Sequence, residues 1–382
     1  MTATSDAQTR PTLGGTPVAP PLIGNDLVIN EDSCNLSCTY CLTGQSNMKD
    51  RHNLQLIFEP PKRDDYSKES ALGKRIDIVA DRVRGRFNMP LLKVTGGEIF
   101  LVRGIMDFLE QEARKHEVLV VQTNAVLVKP EHLERFREWG NVVLQVSLDG
   151  HVYEGNSYRV QSEKLHSKVI EAVTMILESG IATEIYTVLN DKSVEHVREL
   201  GEWLNTFEHP PTFFPFPVRG PGAEEFAVRA DQFGYLDDLV EHHDELSRVL
   251  PPLAYFDRLM SFYRVGKRTF RCHLPRLVVS SFSDGVVTPC PNIWFTDMGN
   301  ALTEDYQNTL DKAGNTGLYR ALLAKRPRLQ ACHGCFTPWD TLSMYFENEI
   351  TLDELCAAPT YSPPRIRGMI EEAKAAYLRG EL

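Results

Sequence analysis

The sequence predicts an α/β protein: an open, partial (β/α)6 barrel of the TIM-like type, followed by a small cysteine-rich domain. Short runs rich in Val, Ile and Thr alternate with amphipathic runs between residues 25 and 220, which is typical of parallel sheets with helical crossovers. Six repeats are too few to close an eight-stranded barrel. Between residues 267 and 340, four cysteines occur where long periodic segments are scarce.

Six segments have the composition of strands, because each is rich in β-branched or aromatic residues. They are residues 27–30, 91–95, 118–124, 142–149, 182–190 and 212–218. Active sites of parallel barrels lie at the carboxyl ends of the strands. Functional residues are therefore expected directly after these segments.

Apolar residues between the strands recur at helical spacing. The apolar face of one predicted helix, residues 163–179, consists of Leu165, Val169, Val173, Ile176 and Leu177. Gly180 is expected to end this helix. Ser193 is a plausible N-cap for the next helix, and residues 366–380 form a charged helix near the end of the chain.

The expected organisation has five parts. They are a loose tail (1–24), the barrel (25–220), a helical bridge (221–266), the cysteine-rich domain (267–340) and a helical C-terminal tail (341–382). The chain shows no apolar run long enough to span a membrane and no secretion signal, so we expect a cytoplasmic protein with no membrane partner. A formal net charge of −11 argues against a broad nucleic-acid-binding surface, which needs clustered Lys and Arg.

Three cysteines follow the first predicted strand. Cys34, Cys38 and Cys41 fall within eight residues, so three thiolates can bind one face of a [4Fe–4S] cube. Such a cluster usually takes four ligands, and the fourth iron is then open to a small molecule. A zinc knuckle is the alternative, but structural zinc normally has four protein ligands, and no His or further Cys lies nearby.

This segment resembles the signature of the radical S-adenosylmethionine (SAM) superfamily, in which three cysteines are spaced by three and two residues and an aromatic precedes the last. Tyr40 takes the aromatic position. The resemblance implies that the open iron chelates the amino and carboxylate groups of SAM. Reductive cleavage of SAM then gives a 5′-deoxyadenosyl radical that removes hydrogen from a substrate, with a flavodoxin- or ferredoxin-type protein as the expected electron donor.

Two motifs after later strands agree with this resemblance. Gly96, Gly97 and Glu98 follow the second strand, where the family's Gly-Gly-Glu binds the SAM amino group and glycine lets the backbone approach a ligand closely. Glu98 itself could accept a hydrogen bond from that ammonium group. Ser147 and Asp149 end the fourth strand like the family's Ser-x-Asp-Gly, whose Ser contacts SAM.

Two further residues are expected near SAM through the same resemblance. Arg159 could pair with the SAM carboxylate, and an unpaired surface Arg is the alternative. Thr187 ends the fifth strand and could approach the adenosine, whereas the simpler interpretation of Thr187 and Val188 is packing of the barrel.

Four more cysteines form two pairs. Cys272, Gly285 and Cys290 give a Cys-x12-Gly-x4-Cys pattern, and Cys332 and Cys335 follow. The pattern resembles the opening of the SPASM domain, but the later SPASM cysteines are missing. This departure implies the shorter twitch version, with one auxiliary [4Fe–4S] cluster held by all four thiolates. A zinc ribbon is the alternative.

The eighth cysteine, Cys356, has no metal partner in the sequence. It is either a hydrogen-atom donor, as in epimerases of this kind, or a small buried residue. A dehydrogenation also needs a proton acceptor. Candidates near the strand ends are Gln122, Asn124, His151, Glu184 and Tyr186.

Three functions remain open at this point. The leading hypothesis is a radical SAM oxidoreductase that dehydrogenates a small polar metabolite of the sugar or aminocyclitol type, with the auxiliary cluster taking up an electron. The alternative is a peptide maturase that cross-links or epimerises a ribosomal peptide. A non-enzymatic iron–sulfur or zinc protein would need neither the Gly-Gly-Glu nor the Ser-x-Asp-Gly motif.

Overall fold

The computed structural model describes residues 21–29, 34–41, 71–220, 222–293 and 298–381. Within them, one nine-stranded sheet has the order β6-β5-β4-β3-β2-β1-β7-β8-β9. The strands are β1 (Gly24–Ile29), β2 (Leu91–Gly96), β3 (Val118–Thr123), β4 (Val142–Ser147), β5 (Thr183–Leu189), β6 (Thr212–Pro217), β7 (Val278–Phe282), β8 (Val286–Thr288) and β9 (Gly299–Asn300). Strands β1 to β6 run parallel, so the predicted partial barrel is confirmed.

Helices connect and cover these strands. They are α1 (Ala71–Phe87), α2 (Ile105–Ala113), α3 (Pro130–Trp139), α4 (Tyr153–Asn156), α5 (Glu163–Glu178), α6 (Val197–Asn205), α7 (Phe233–Glu241), α8 (Leu253–Val265), α9 (Tyr306–Asp311), α10 (Gly317–Leu322), α11 (Gln330–His333), α12 (Asp340–Phe346), α13 (Leu352–Leu355) and α14 (Pro364–Leu378). Among the described residues, no helix is both long and apolar enough to cross a bilayer.

The barrel strands are buried along their length, as parallel strands covered on both faces should be. All six residues of β1 and of β4 are buried. The predicted apolar face of α5 packs inward: Val169, Val173 and Ile176 are fully buried. The Ser162 hydroxyl caps this helix by accepting from Leu165 N at 3.3 Å, and Gly180 follows it with a φ of 72°.

The helix after β5 begins differently from the prediction. Ser193 is not the N-cap, because Lys192 holds that position without a side-chain hydrogen bond. Asn190, two residues earlier, acts as the cap through its Oδ1, which accepts from the amides of Lys192 and Ser193, each at 2.9 Å. Ser193 instead lies inside the first 3-10 turn, Ser193–His196, ahead of α6. An amide side chain at the strand end therefore satisfies the first exposed N–H groups.

The cysteine-rich region continues the barrel sheet, which the sequence did not predict. Strand β7 pairs in parallel with β1, and β8 returns antiparallel to β7. Residues 21–24 fall in the range assigned to the loose tail, but Leu22 and Ile23 are fully buried and Ile23 N donates to Leu277 O at 2.7 Å. The tail up to residue 20 and residues 42–70 lie outside the described residues.

Candidate active site

The three-cysteine loop, residues 34–41, follows β1 and forms one wall of a cavity of about 530 Å³. Segments after two other strands hold it there. Asn124 Nδ2, after β3, lies 3.7 Å from Cys34 Sγ, and Tyr158 O, after β4, accepts from Thr39 N at 2.9 Å. The loop is therefore positioned at the carboxyl ends of the strands, as predicted.

Gly96 is required by the packing of two strands at this edge. A Cβ on Gly96 would lie 1.6 Å from Ile29 O, the last carbonyl of β1. Gly96 and Gly97 both line the cavity. Their backbone is thus presented to a ligand beside the cysteine loop.

The carboxylate of Glu98 is bonded within the protein, which does not support the expected hydrogen bond from the SAM ammonium group. Its carboxylate is fully buried and accepts from Thr123 Oγ1 at 2.9 Å, Asn124 N at 2.8 Å and Phe100 N at 3.2 Å. Burial raises the pKa of Glu98, and these hydrogen bonds oppose that rise. Glu98 therefore fixes the turn after β2, which leaves the backbone of Gly96 and Gly97 as the part of the motif that faces the cavity.

Tyr40 links the cysteine loop to the end of β4. Its hydroxyl donates to Asp149 Oδ2, and Asp149 Oδ1 lies 3.6 Å from Arg159 Nε. Arg159 Nη1 also lies 3.9 Å from Cys38 Sγ. The three residues are each at most 8% exposed, so the surface alternative for Arg159 is wrong. Its guanidinium lies on the cavity wall beside a predicted cluster ligand.

The remaining predicted SAM contacts divide into two groups. Ser147 lines the cavity. Asp149 and Thr187 are fully buried: Asp149 accepts from Val188 N at 3.0 Å, and Thr187 Oγ1 donates to Leu148 O at 2.5 Å. Thr187 therefore packs the barrel, whereas Val188 is the residue of this segment that lines the cavity.

Of the five proposed proton acceptors, the structure places some in the cavity wall and others away from it. Gln122, Asn124 and Tyr186 line the cavity, but none of the three is an anionic base at neutral pH. Glu184 is buried and accepts from Thr360 Oγ1 at 2.5 Å and Gln145 Nε2 at 2.8 Å. His151 stacks on Trp203 at a centroid distance of 6.1 Å.

Sequence reasoning missed two charged residues inside the barrel. Asp26 on β1 and Lys93 on β2 are register partners and both line the cavity. Burial raises the pKa of Asp26 and lowers that of Lys93. The available signal was a charged residue at the same inward-facing position of two neighbouring apolar strands.

The four other cysteines surround a second, much smaller gap. Cys272, Cys290, Cys332 and Cys335 all line a space of about 30 Å³. Gly285 explains how the first pair meets: it turns the chain between β7 and β8 with a φ of 91°, so the segments before and after this hairpin lie side by side.

Arg268 organises the walls of this gap. Its guanidinium pairs with Asp340 and donates to Cys335 O at 3.1 Å and Phe270 O at 3.2 Å. Its backbone N–H donates to His333 O at 2.7 Å. The residue thereby joins the segment before Cys272 to the loop that holds the last two cysteines.

Each site contains strongly desolvated thiols. Burial raises the pKa of Cys38 to about 12, of Cys272 to about 11 and of Cys332 to about 12. The thiolate is the form that binds metal, so loading either site must release protons. Within the described chain, no three His, Cys, Asp or Glu side chains converge on one ion; an iron–sulfur cube does not require this, because each thiolate binds a different iron.

The two sites share a wall. Asn292, Thr337 and Trp339 line both the large cavity and the four-cysteine gap. Asn292 Nδ2 lies 3.6 Å from Cys335 Sγ, and Arg219, another cavity residue, donates to Asn292 Oδ1. A molecule in the large cavity would thus lie between the two cysteine sets.

Cys356 lies elsewhere. It follows α13 and is half-buried, with Arg367, Asp353 and Glu371 as its charged neighbours. It is absent from the described residues that line either cavity. This position gives no support to a hydrogen-donor role and agrees with the simple packing interpretation.

The fold is a partial parallel barrel with its cavity at the strand ends, and comparison with known proteins shows which family part of it resembles. Residues 32–204 match the model of the Radical SAM superfamily. This stretch, which includes the three-cysteine loop and strands β2 to β5, is similar to that superfamily. The cofactors predicted from the sequence, SAM with its [4Fe–4S] cluster and an auxiliary [4Fe–4S] cluster, agree with this similarity.

Three known proteins are similar to larger parts of the chain. The antilisterial bacteriocin subtilosin biosynthesis protein AlbA of Bacillus subtilis (strain 168) is 22% identical over 339 residues, 80% of this chain and 68% of AlbA. A GTP 3′,8-cyclase of Thermodesulfovibrio yellowstonii is 26% identical over 210 residues, 53% of this chain and 59% of the cyclase. The structure of Streptococcus suis SuiB bound to precursor peptide SuiA has a TM-score of 0.57 at 15% identity and covers 84% of this chain and 73% of SuiB.

Proposed function

We propose that this protein is a radical SAM peptide maturase that oxidises a residue of a peptide, with an auxiliary [4Fe–4S] cluster at the four-cysteine site. One observation carries the proposal: a single cavity is bounded by the three-cysteine loop and by residues that also border the four-cysteine gap. A group bound there can meet a radical from one side and lose an electron to the other.

The cavity residues fit SAM and its cluster. Cys34, Cys38 and Cys41 would hold three irons, and the Gly96–Gly97 backbone and Arg159 would receive the amino and carboxylate groups. When bound, SAM and the reduced cluster supply a 5′-deoxyadenosyl radical that takes a hydrogen atom from the substrate. The protein orients the reacting groups and excludes water from them.

Oxidation then requires an acceptor for one electron and one proton. An auxiliary cluster held by Cys272, Cys290, Cys332 and Cys335 would supply the acceptor for the electron, and a basic group would take the proton, so the product would have two hydrogen atoms fewer than the substrate. Four thiolates leave no open iron at that cluster, which suits electron transfer rather than substrate binding. A peptide substrate is favoured because AlbA takes part in bacteriocin biosynthesis and SuiB binds a precursor peptide.

A small polar metabolite, of the sugar or aminocyclitol type, is the second candidate. The desolvated charges of Asp26 and Lys93 in the cavity favour it, since a hydroxyl- or amino-bearing ring could bond to both. Epimerisation with Cys356 as donor is not part of the proposal, because that thiol lies away from the cavity.

The test is anaerobic incubation of the reconstituted enzyme with SAM, dithionite and candidate substrates. The peptide candidates are those encoded by short reading frames beside the gene, and the metabolite candidates are sugars and aminocyclitols. We expect 5′-deoxyadenosine together with a peptide lighter by two mass units. A peptide whose mass is unchanged after reaction in H2O but one unit higher after reaction in D2O would overturn oxidation, and turnover of metabolites alone would overturn the peptide assignment.

A further inference from the structure

The cavity contains an ion pair that the proposed chemistry does not use. Asp26 and Lys93 face each other on β1 and β2, and each is only 6% exposed. Asp26 comes three residues before the end of β1, which places it about 10 Å below the strand end at ~3.3 Å per residue. The pair therefore forms the floor of the cavity whose rim carries the three-cysteine loop.

The pair is poorly satisfied by the protein. Asp26 Oδ1 is buried and accepts no hydrogen bond from any described residue. Lys93 Nζ lies 4.0 Å from that oxygen, beyond hydrogen-bond distance. The ammonium instead lies between two rings, 5.8 Å from Tyr186 and 5.7 Å from Trp339. A buried carboxylate oxygen without a donor is unfavourable, so a ligand donor at this point would be strongly bound.

The charges around the floor indicate what kind of ligand fits. Two acidic side chains, Asp26 and Glu184, interact electrostatically around the floor with two basic ones, Lys93 and Arg219. The negative and positive charges are therefore equal in number. Glu184 is already occupied by its hydrogen bonds to Thr360 and Gln145. An entering ion would lose its hydration without gaining a free counter-charge. A neutral group with one donor and one acceptor could instead bridge Asp26 and Lys93.

We propose that Asp26 and Lys93 form a polar anchor for the reacting group of the substrate, and that this group is a primary carboxamide or a hydroxyl. The anchor rests on the proposed function and makes it more specific: in a peptide, the oxidised residue would be Asn, Gln, Ser or Thr. The carboxylate accepts from the N–H or O–H of the group, and the ammonium donates to its oxygen. Apolar and charged side chains lack this pair of bonds.

Capped single residues test the anchor. The holoenzyme is incubated with SAM, dithionite and the N-acetyl amide of Asn, Ser, Leu or Lys, and 5′-deoxyadenosine formation is divided by the rate without a probe. We expect the Asn and Ser probes to raise this ratio about tenfold over the Leu and Lys probes, the effect of one or two charge-assisted hydrogen bonds. Equal ratios for all four probes would overturn the anchor.

The decisive variant is Asp26→Asn/Lys93→Met, which leaves no unpaired buried charge; the single variant Asp26→Asn is a second test. Both should lose the advantage of the Asn and Ser probes. The matched control, Glu112→Gln/Lys115→Met, changes a 2.7 Å ion pair outside the cavity and should keep it. Retention of the advantage by iron-loaded Asp26 variants would disprove the anchor, whereas a wild-type enzyme that never cleaves SAM would disprove the proposed function instead.

Discussion

The two cysteine sites differ in the space beside them as well as in their number of thiols. The three-cysteine loop borders about 530 Å³, while the four-cysteine set surrounds about 30 Å³. Where a ligand position is missing, the protein leaves room for a cofactor and a substrate. Where four thiolates are present, Arg268 and its partners close the walls. The number of thiols and the packing thus both indicate that the three-cysteine site is open to ligands and that the four-cysteine site is closed to them.

Removing the open site should have the largest effect. We expect Cys34→Ala/Cys38→Ala/Cys41→Ala to abolish SAM cleavage and to lose about half of the bound iron, since each cube holds four irons. Iron and sulfide assays with 5′-deoxyadenosine quantification measure this. Residual SAM cleavage by this variant would contradict the assignment of the open site.

Removing the closed site should separate SAM cleavage from product formation. We expect Cys332→Ala/Cys335→Ala to lose about half of the iron and the oxidised product, but to continue forming 5′-deoxyadenosine. Electron paramagnetic resonance of the reduced protein should then show one cluster signal in place of two. A full iron complement in the quadruple variant that also lacks Cys272 and Cys290 would refute the two-cluster assignment.

A glycine in each site provides a smaller and local test. Gly96→Ala places a Cβ against Ile29 O and should cost at least about 3 kcal/mol of stability, with weakened SAM binding. Gly285→Ala, at a φ of 91° and 2.2 Å from Asn300 Oδ1, should instead impair loading of the auxiliary cluster. In the control Gly85→Ala, no atom lies within 4 Å of the added Cβ. Because Gly85 is helical, this variant should be more stable to unfolding by about 0.5–1 kcal/mol.

These glycine variants are compared by thermal unfolding and by iron content after reconstitution. If Gly96→Ala and Gly285→Ala damaged both sites equally, the two regions would not be independent in loading.

The smallest effects are expected from two asparagines. Asn124 Nδ2 lies 3.7 Å from Cys34 Sγ, and Asn292 Nδ2 lies 3.6 Å from Cys335 Sγ. Hydrogen bonds to cluster sulfurs tune the reduction potential, so Asn124→Ala and Asn292→Ala should each lower the potential of only the adjacent cluster. Redox titration monitored by electron paramagnetic resonance measures both, and the surface variant Asn308→Ala should shift neither.

The sequence was sufficient for the barrel because periodicity and strand composition are local. All six predicted barrel strands occur, each within a few residues of the predicted bounds. It was not sufficient for the pairing of β7 with β1, since that contact joins residues about 250 positions apart and leaves no periodic signal. The cap at Asn190 was missed because Ser and Asn are both good N-caps and only the backbone conformation selects between them.

The candidate active site was likewise predictable only where the signal is local in the sequence. The cysteine sets were predicted from spacing, whereas the roles of Glu98, Asp149 and Thr187 depended on which way each side chain points. All three were expected near SAM because of the resemblance, yet all three are fully buried and bonded within the protein. Asp26 and Lys93 were overlooked because a single charge in an apolar run gains meaning only when its neighbour across the sheet is known.

The position of β1 has a consequence for cooperativity. This strand is hydrogen-bonded to β2 of the barrel on one side and to β7 of the cysteine-rich region on the other. Unfolding of either region would therefore break hydrogen bonds at the sheet edge of the other. We expect the apoprotein to show a single calorimetric transition despite its two cofactor regions, with the slowest-exchanging amides in residues 24–28.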